Sequence, residues 1–462
     1  MPSGIQRYGA YVPFFRLSRV GLGGRGSRAV AAYDENAVSM AVEASREAVR
    51  GFERGTVEVL LLASTSLPYL EKLNAATVRA ALELPAGVLA LDVAGSTRGG
   101  LGALLTAFDL AAAGRTVLVT SSDVMVGAPS GPRESEGGDA ASAFVVGPGE
   151  GAARLIGRAS VTEEVLDVWR SPEMPFARLW EERFGAEIFV PLLADVLKRS
   201  LADAGLQVSD LSKVVADGTN ARAVATFLRT SGFCPEQLGD SLAASVGRSG
   251  AAHAGLMLAA ALDAAAPGDR IAVVCGADGA DAAIFEVTDA IDASRPLRSV
   301  ERWISSQRDD LPYTTYLKWR GVLPFEPPRR PDPARPAAPP MHRSERWKYA
   351  FVGSRCDACG AANLPPQRVC VACGAVDRMT PEPFADTPCK IATYTIDRLA
   401  YSLQPPVVAA VADFENGGRF TCQLTDVDPE KVGIGDRLEM TFRRLYTAEG
   451  VHNYFWKARP QR

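Results

Sequence analysis

Two kinds of hydrophobic pattern alternate along the first 290 residues. Short, nearly unbroken apolar runs read as strands buried on both faces: VEVLLLA at 57–63, VLALD at 88–92, TVLVTS at 116–121, KVVA at 213–216 and RIAVVC at 270–275. Between them lie stretches whose apolar residues recur at three and four, the helical spacing, at 34–50, 97–113, 192–204, 221–230 and 251–265. Asp34 or Asn36 is placed to cap the first of these. Strands this apolar need helices on both sides, so the pattern predicts a layered α/β domain over residues 1–290.

The pattern then stops. Eight prolines fall between positions 324 and 340, too dense for helix interiors or central strands. Residues 291–343 therefore read as an extended linker. Twelve Lys/Arg against seven Asp/Glu over 291–348 leave it basic, a solvated face or a contact for an acidic surface or a coenzyme phosphate. Beyond it the period becomes two. Five alternating runs, at 389–396, 407–414, 419–426, 437–446 and 452–459, are separated by turn signals at Gly417, Gly418, Gly433 and Gly435. Five short strands predict a small OB-type barrel over 381–462.

The segment before the barrel, 344–380, carries the most specific chemistry. Cys356 and Cys359, then Cys370 and Cys373, form two C-x-x-C pairs, each followed by glycine (Gly360, Gly374). Two such knuckles place four thiolates around one ion, the pattern of a closed four-cysteine zinc ribbon whose metal is structural. Iron in a rubredoxin-like site is the alternative. Cys234, Cys275, Cys389 and Cys422 have no partner pattern and read as small buried residues.

Composition narrows the classes. With 47% apolar and 23% charged residues, the 462-residue chain is an ordinary globular protein, too long for one core. Lys plus Arg total 50 against 54 Asp plus Glu, which gives no electrostatic case for nucleic acid, and residues 384–462 balance at ten each. No apolar run has the length of a membrane span, and the first residues lack a secretory pattern, so a cytoplasmic protein is expected.

Two resemblances follow from particular residues. The tryptophan-led segment at Trp347, the two knuckles, Pro365 and Pro366, and the runs PVVAAVADFENGGRFTCQLTD, VGIGDRLEMTF and YFWKARP resemble the zinc-ribbon plus OB-fold modules that accompany thiolase-type acyl-CoA enzymes. That resemblance implies docking to an acyl-CoA enzyme, and a share in binding coenzyme A. In the first 290 residues, four stretches are similar, in order, to the thiolase superfamily in its hydroxymethylglutaryl-CoA synthase and initiating ketoacyl synthase branch. They are LDVAGSTRGGLGALLTA, TVLVTSSDVMVGAPSGPRESEGGDAASAFVVG, VVADGTNARAVATFL, and SVGRSGAAHAGLMLAAAL with GDRIAVVCGADGADAAIFEV. The resemblance implies two βαβαβαββ halves in five layers, a homodimer, and acyl transfer through a cysteine thioester assisted by histidine, asparagine or glutamate.

This chain departs from that pattern at each reacting position. Thr97 stands in place of the cysteine, Asp217 in place of the histidine, Arg248 in place of the asparagine, and Thr65 near the place of the synthase glutamate. A threonine hydroxyl is far too basic to replace a thiolate, so Thr97 reads as a helix cap. The candidate acid–base groups are Asp217, His253, Tyr69 and Glu71. Asp217 ends a strand, and His253 is either a proton carrier or a packed core residue. Arg98 and Arg248 are candidate partners for a carboxylate or a CoA phosphate, with Gly276 and Gly279 as the glycine loop of the substrate site. Asp123 and Asp139 read as structural. The expected function is a carbon–carbon bond-making or bond-breaking enzyme acting on acyl-CoA without a cysteine acyl-enzyme, of the synthase or retro-aldol and retro-Claisen kind. The alternatives are a catalytically silent scaffold docking an active thiolase or hydratase chain, and a condensing synthase whose nucleophile lies elsewhere.

Overall fold

The computed structural model describes residues 2–462 apart from 327, 330 and 332. It divides into two compact units, the first made of residues 2–31, 36–76 and 84–311, the second of 32–35, 77–83 and 312–462.

The first unit is a repeat of one motif. Its first half runs β1 (Ser3–Tyr11), α1 (Ala37–Ala48), β2 (Val59–Ser64), β3 (Leu89–Ala94), α2 (Gly99–Ala112), β4 (Val117–Asp123) and β5 (Ala140–Pro148). Its second half runs β6 (Ala153–Thr162), α3 (Glu182–Ala204), β7 (Lys213–Gly218), α4 (Ala221–Thr230), α5 (His253–Ala264), β8 (Arg270–Gly276) and β9 (Gly279–Val287). The nine strands are hydrogen-bonded in the order β7-β8-β9-β6-β1-β5-β4-β2-β3. The halves join where β1 meets β6 through only two register pairs, Gly4 with Arg154 and Ile5 with Ala153, so the sheet breaks into two layers there. Helix α1 covers β1, β5 and β4, and α3 covers β6, β9 and β8, while α2 and α5 pack on each other between the sheets. The result is the expected five layers. The counterpart of β3 in the second half is reduced to a single parallel bridge, Val214 with Leu238.

Local chemistry explains most boundaries. Asn36, and not Asp34, caps α1, with its side chain accepting from the Ser39 amide (3.1 Å) and the Ser39 hydroxyl accepting from the Asn36 amide (2.9 Å). Asp34 instead lies fully buried in the second unit. Helix α3 begins at Glu182, ten residues before the pattern predicts, and runs through Pro191. A proline removes one helical hydrogen bond, and the buried face Phe189, Leu193, Val196 and Leu197 outweighs that loss. Strands β1 and β6 are not legible in the sequence, because they mix charged and apolar residues without strict alternation.

The expected linker is only partly one. Helices form at Val300–Ser305 and Tyr313–Trp319, burying Trp303 and Tyr316, because only Pro296 and Pro312 interrupt residues 291–319. The described residues between 320 and 337, where the prolines concentrate, carry no helix or strand.

In the second unit a three-stranded sheet, β10 (Val352–Cys356), β11 (Ala362–Asn363) and β12 (Met379–Pro383), carries the cysteine knuckles. Five antiparallel strands follow: β13 (Cys389–Asp397), β14 (Val407–Phe414), β15 (Arg419–Gln423), β16 (Arg437–Ala448) and β17 (Val451–Pro460), ordered β15-β14-β13-β16-β17. The chain after β15 returns to β17 through the Thr425 amide and the Ala458 carbonyl (2.9 Å), which brings the two edges together as a barrel requires. Trp347 stacks on Phe351 (ring centroids 4.9 Å) and meets Phe420 and Phe455 edge-on. Inside the unit, Arg443 pairs with Asp34, Glu35 and Asp426, and Lys457 with Asp34 (2.8 Å), all essentially fully buried. No described helix is long and apolar enough to cross a membrane.

Candidate active site and metal centre

The four knuckle cysteines meet as their spacing predicts. Cys356 and Cys373 Sγ atoms lie 3.7 Å apart, Cys359 and Cys370 Sγ atoms 3.6 Å apart, and all four fall within 4.8 Å of one another. Zinc–sulfur bonds of about 2.3 Å in a tetrahedron separate the sulfurs by about 3.8 Å, so the donor set fits zinc with no position left open. Each knuckle closes through a left-handed glycine, Gly360 (φ 73°) and Gly374 (φ 72°), whose amides bond the Cys356 and Cys370 carbonyls.

The candidate reaction site forms around the ends of β7, β8 and β9. In register, Asp217 of β7 faces Cys275 of β8, and Cys275 faces Asp281 of β9. Ladder neighbours share a face, so these three side chains form one row with strands about 4.8 Å apart. An arginine closes each end. Arg248 Nη1 lies 3.3 Å from Asp217 Oδ1 and donates to the Gly218 carbonyl (3.0 Å). Arg98 makes a bidentate pair with Asp281 (2.7 and 3.0 Å) and donates to the Asp278 carbonyl and the Thr162 hydroxyl. Burial and the two flanking carboxylates push the Cys275 thiol well above its ordinary pKa, so it is no thiolate nucleophile.

Thr97 lies in the turn before α2, which begins at Gly99, two residues later than the pattern predicts. The cap position is Arg98, with no side-chain cap bond. The turn is held instead by the Ser96 hydroxyl, which accepts from the Arg98 amide and donates to Asp278 (2.6 Å). Thr97 is thus no cap. Gly279 sits at φ 114°, where an added Cβ would meet the Val161 carbonyl at 2.1 Å. An added Cβ on Gly276 would press on Leu193 at 3.1 Å. Both glycines serve the β8–β9 turn and its packing.

His253 starts α5 fully buried. Its Nε2 faces the Ser241 carbonyl (3.0 Å), which only accepts, so Nε2 donates and Nδ1 accepts from the Ser249 hydroxyl (3.2 Å). Burial lowers its pKa, and both nitrogens are used.

Asp123, at the end of β4, organises the site more than its place in the sequence suggests. It is fully buried and accepts from Ser64 Oγ, the Thr65 amide, Thr65 Oγ1, Ser66 Oγ and the Ala251 amide, all within 3.0 Å. Burial pushes its pKa up, and the bonds from Ser64, Ser66 and the Thr65 and Ala251 amides oppose the shift. Gly250 (φ 55°) passes so close that a Cβ would stand 2.2 Å from Asp123 Oδ2. One carboxylate therefore ties the Thr65 loop to the turn that follows Arg248. The signal in the sequence is the hydroxyl-rich loop of Ser64, Thr65 and Ser66, whose partner lies 57 to 59 residues away.

A cleft of about 800 Å³ opens beside this site, bordered by Leu91, Val93, Ser96, Arg98, Thr162 and Asp281. Asp217 and His253 are not among its lining residues. One wall is β3, an edge strand that leaves Leu89 and Leu91 about half exposed.

Residues 348–377 match the family model of the ChsH2 rubredoxin-like zinc ribbon domain, and 387–443 that of the ChsH2 C-terminal OB-fold domain. The chain is 28% identical over 342 residues to the hydroxymethylglutaryl-CoA synthase of Aeropyrum pernix, covering 70% of this chain and 95% of the relative. It is 29% identical over 345 residues to that of Methanopyrus kandleri, covering 70% and 98%. Among solved structures, a hydroxymethylglutaryl-CoA synthase complexed with CoA superposes with TM-score 0.61 at 16% identity, covering 69% of this chain and 90% of the other. The 3-oxoacyl-(acyl carrier protein) synthase III of Pseudomonas aeruginosa superposes with TM-score 0.56 at 21% identity, covering 62% and 98%. The chain therefore joins a domain of thiolase-like fold, similar to the hydroxymethylglutaryl-CoA synthases, to segments that match the ChsH2 zinc ribbon and OB-fold family models.

Proposed function

We propose that this chain is an acyl-CoA enzyme that makes or breaks a carbon–carbon bond without a cysteine acyl-enzyme. The observation that carries the reading is the row of Asp217, Cys275 and Asp281 beside the start of α2. The scaffold around the thioester position is intact, while the hydroxyl of Thr97 replaces a thiolate. Asp217 is the group for proton transfer at carbon, with Arg248 orienting its carboxylate at 3.3 Å. His253 is left out of that role, since its ring nitrogens are engaged elsewhere.

A second reading has its own support. Arg248 pairs with Asp217 at the place where the family's histidine and asparagine would stand, and this suits a silent scaffold that docks an active thiolase or hydratase chain. Mass spectrometry after incubation with acyl-CoA separates the readings. Turnover without a protein adduct supports the enzyme, a covalent acyl adduct supports a condensing synthase, and neither leaves the scaffold.

Two assemblies complete the proposal. The four cysteines hold one structural zinc per chain. The unit forms a homodimer by pairing β3 with β3 of a second copy, which satisfies the edge strand and covers Leu89 and Leu91. Light scattering is expected to give a dimer at micromolar concentration, and Leu91→Glu a monomer.

A further inference from the structure

The second unit contains a short piece of chain that is remote from it in sequence. Residues 32–35 lie within it, although 391 to 424 positions separate them from the Thr425 and Lys457 side chains they meet. They form a turn that closes on itself. The Glu35 amide donates to the Ala32 carbonyl (3.0 Å), and Glu35 Oε2 accepts from the Ala32 amide (2.8 Å). Tyr33, Asp34 and Glu35 stand on this turn, and the barrel engages each of them. Asp34 Oδ2 accepts from Lys457 Nζ (2.8 Å) and from the Thr425 hydroxyl (3.1 Å), while Oδ1 lies 3.4 Å from Arg443 Nη1. Glu35 Oε1 lies 2.8 Å from the same arginine nitrogen. Arg444 donates its amide to the Asp34 carbonyl (2.8 Å) and its Nη2 to the Tyr33 carbonyl (2.6 Å). Lys457 Nζ lies over the Tyr33 ring (5.1 Å to the centroid) and 3.2 Å from its hydroxyl.

Arg443 and Lys457 are essentially fully buried, as are Asp34 and Glu35. Burying so many charges does little for net stability, since apolar residues of similar volume serve as well or better. What such a set supplies is discrimination. A segment without the carboxylates leaves the Lys457 ammonium buried without Asp34 and strips Arg443 of Asp34 and Glu35.

We propose that the face of the barrel formed by β16 and β17 is a receptor for an acidic turn of the form Tyr-Asp-Glu, filled in this chain by its own residues 33–35. The recognising cations, Arg443, Arg444 and Lys457, all come from these two strands, so the site also seats a separate peptide of the same chemistry once the attached turn is weakened. None of these residues enters the acyl-CoA reading, which stands or falls without them.

Fluorescence anisotropy with a labelled peptide of residues 29–38 tests this on the full-length protein. The unaltered protein should not bind the peptide, because the attached turn holds the site at high effective concentration. A double variant, Tyr33→Ala with Asp34→Ala, should bind it saturably. It should bind it at least about tenfold more tightly than a peptide with Asn in place of Asp34, the scale of a hydrogen bond to a charged group. A double variant that keeps its zinc and binds neither peptide, or both equally, overturns the receptor. So does equal binding by the unaltered protein, which would place the peptide elsewhere. A second measurement serves if the double variant does not fold. Asp34→Asn should lower the melting temperature, and Lys457→Met added to it should recover part of that loss, because the buried ammonium no longer lacks its carboxylate. A Lys457→Met change that deepens the loss overturns the inference.

Discussion

The zinc ribbon and the reaction site are both places where several side chains must meet, and this chain treats them oppositely. The ribbon keeps all four ligands, with sulfurs at tetrahedral spacing. At the candidate reaction site, where the resemblance implies a cysteine, a histidine and an asparagine, this sequence offers Thr97, Asp217 and Arg248, and Asp217 and Arg248 face each other. A closed thiolate site has one chemistry and loses it with any ligand. A strand-end site on a superfamily scaffold tolerates replacement, because sheet and helix packing are set by residues that never touch the substrate.

The contrast can be broken at four points. The largest effect is expected at the metal. Cys356→Ser should release the zinc and forfeit stabilisation of the order of 10 kcal/mol, which unfolds the ribbon. Elemental analysis of the unaltered protein should give one zinc per chain. Far less metal, or an unchanged melting curve for the variant, would remove the contrast at its better-defined end.

The buried ions of the second unit come next. Arg443→Ala leaves Asp34, Glu35 and Asp426 without their shared cation and should cost about 3–5 kcal/mol in denaturant unfolding, with zinc still bound. Loss of zinc together with stability would mean that ribbon and barrel fold as one.

At the reaction site, Asp217→Asn should lower turnover about 10²-fold or more, the scale of general-base loss, with the melting curve little changed. The smallest effect is expected at Thr97→Ala, within about twofold in kcat, because its hydroxyl neither caps α2 nor forms an ester. The opposite ranking, with Thr97→Ala inactive and Asp217→Asn active, would make Thr97 the nucleophile and the site a conventional synthase.

Some of this can be read directly from the chain. The strands at β2, β4, β7 and β8 follow apolar runs within a few residues, since continuous burial on both faces leaves a one-dimensional signature; β3 is as apolar but lies at the sheet edge with Leu89 and Leu91 about half exposed, which its run does not reveal. The knuckles are legible because both pairs are local and each closes on its own glycine. The barrel follows from five alternating runs, and the half-repeat is what the resemblance to the thiolase superfamily implies.

Other features exist only between distant residues. No local pattern marks Asp123 as the tie between the Thr65 loop and the turn at Ala251, because its five donors come from two loops far apart in sequence. Nor does any local pattern pair Arg98 with Asp281, or exhaust both nitrogens of His253. The helix starts at Gly99 and Glu182 depart from the pattern because tertiary burial and side-chain bonds outweigh proline and threonine preferences. The layered α/β unit, the four-cysteine ribbon and the five-stranded barrel are all written in the order of residues. They depend on period and spacing, which chain neighbours set. Folding adds which charges neutralise one another, because ionic pairing depends on distances in space that periodicity does not encode.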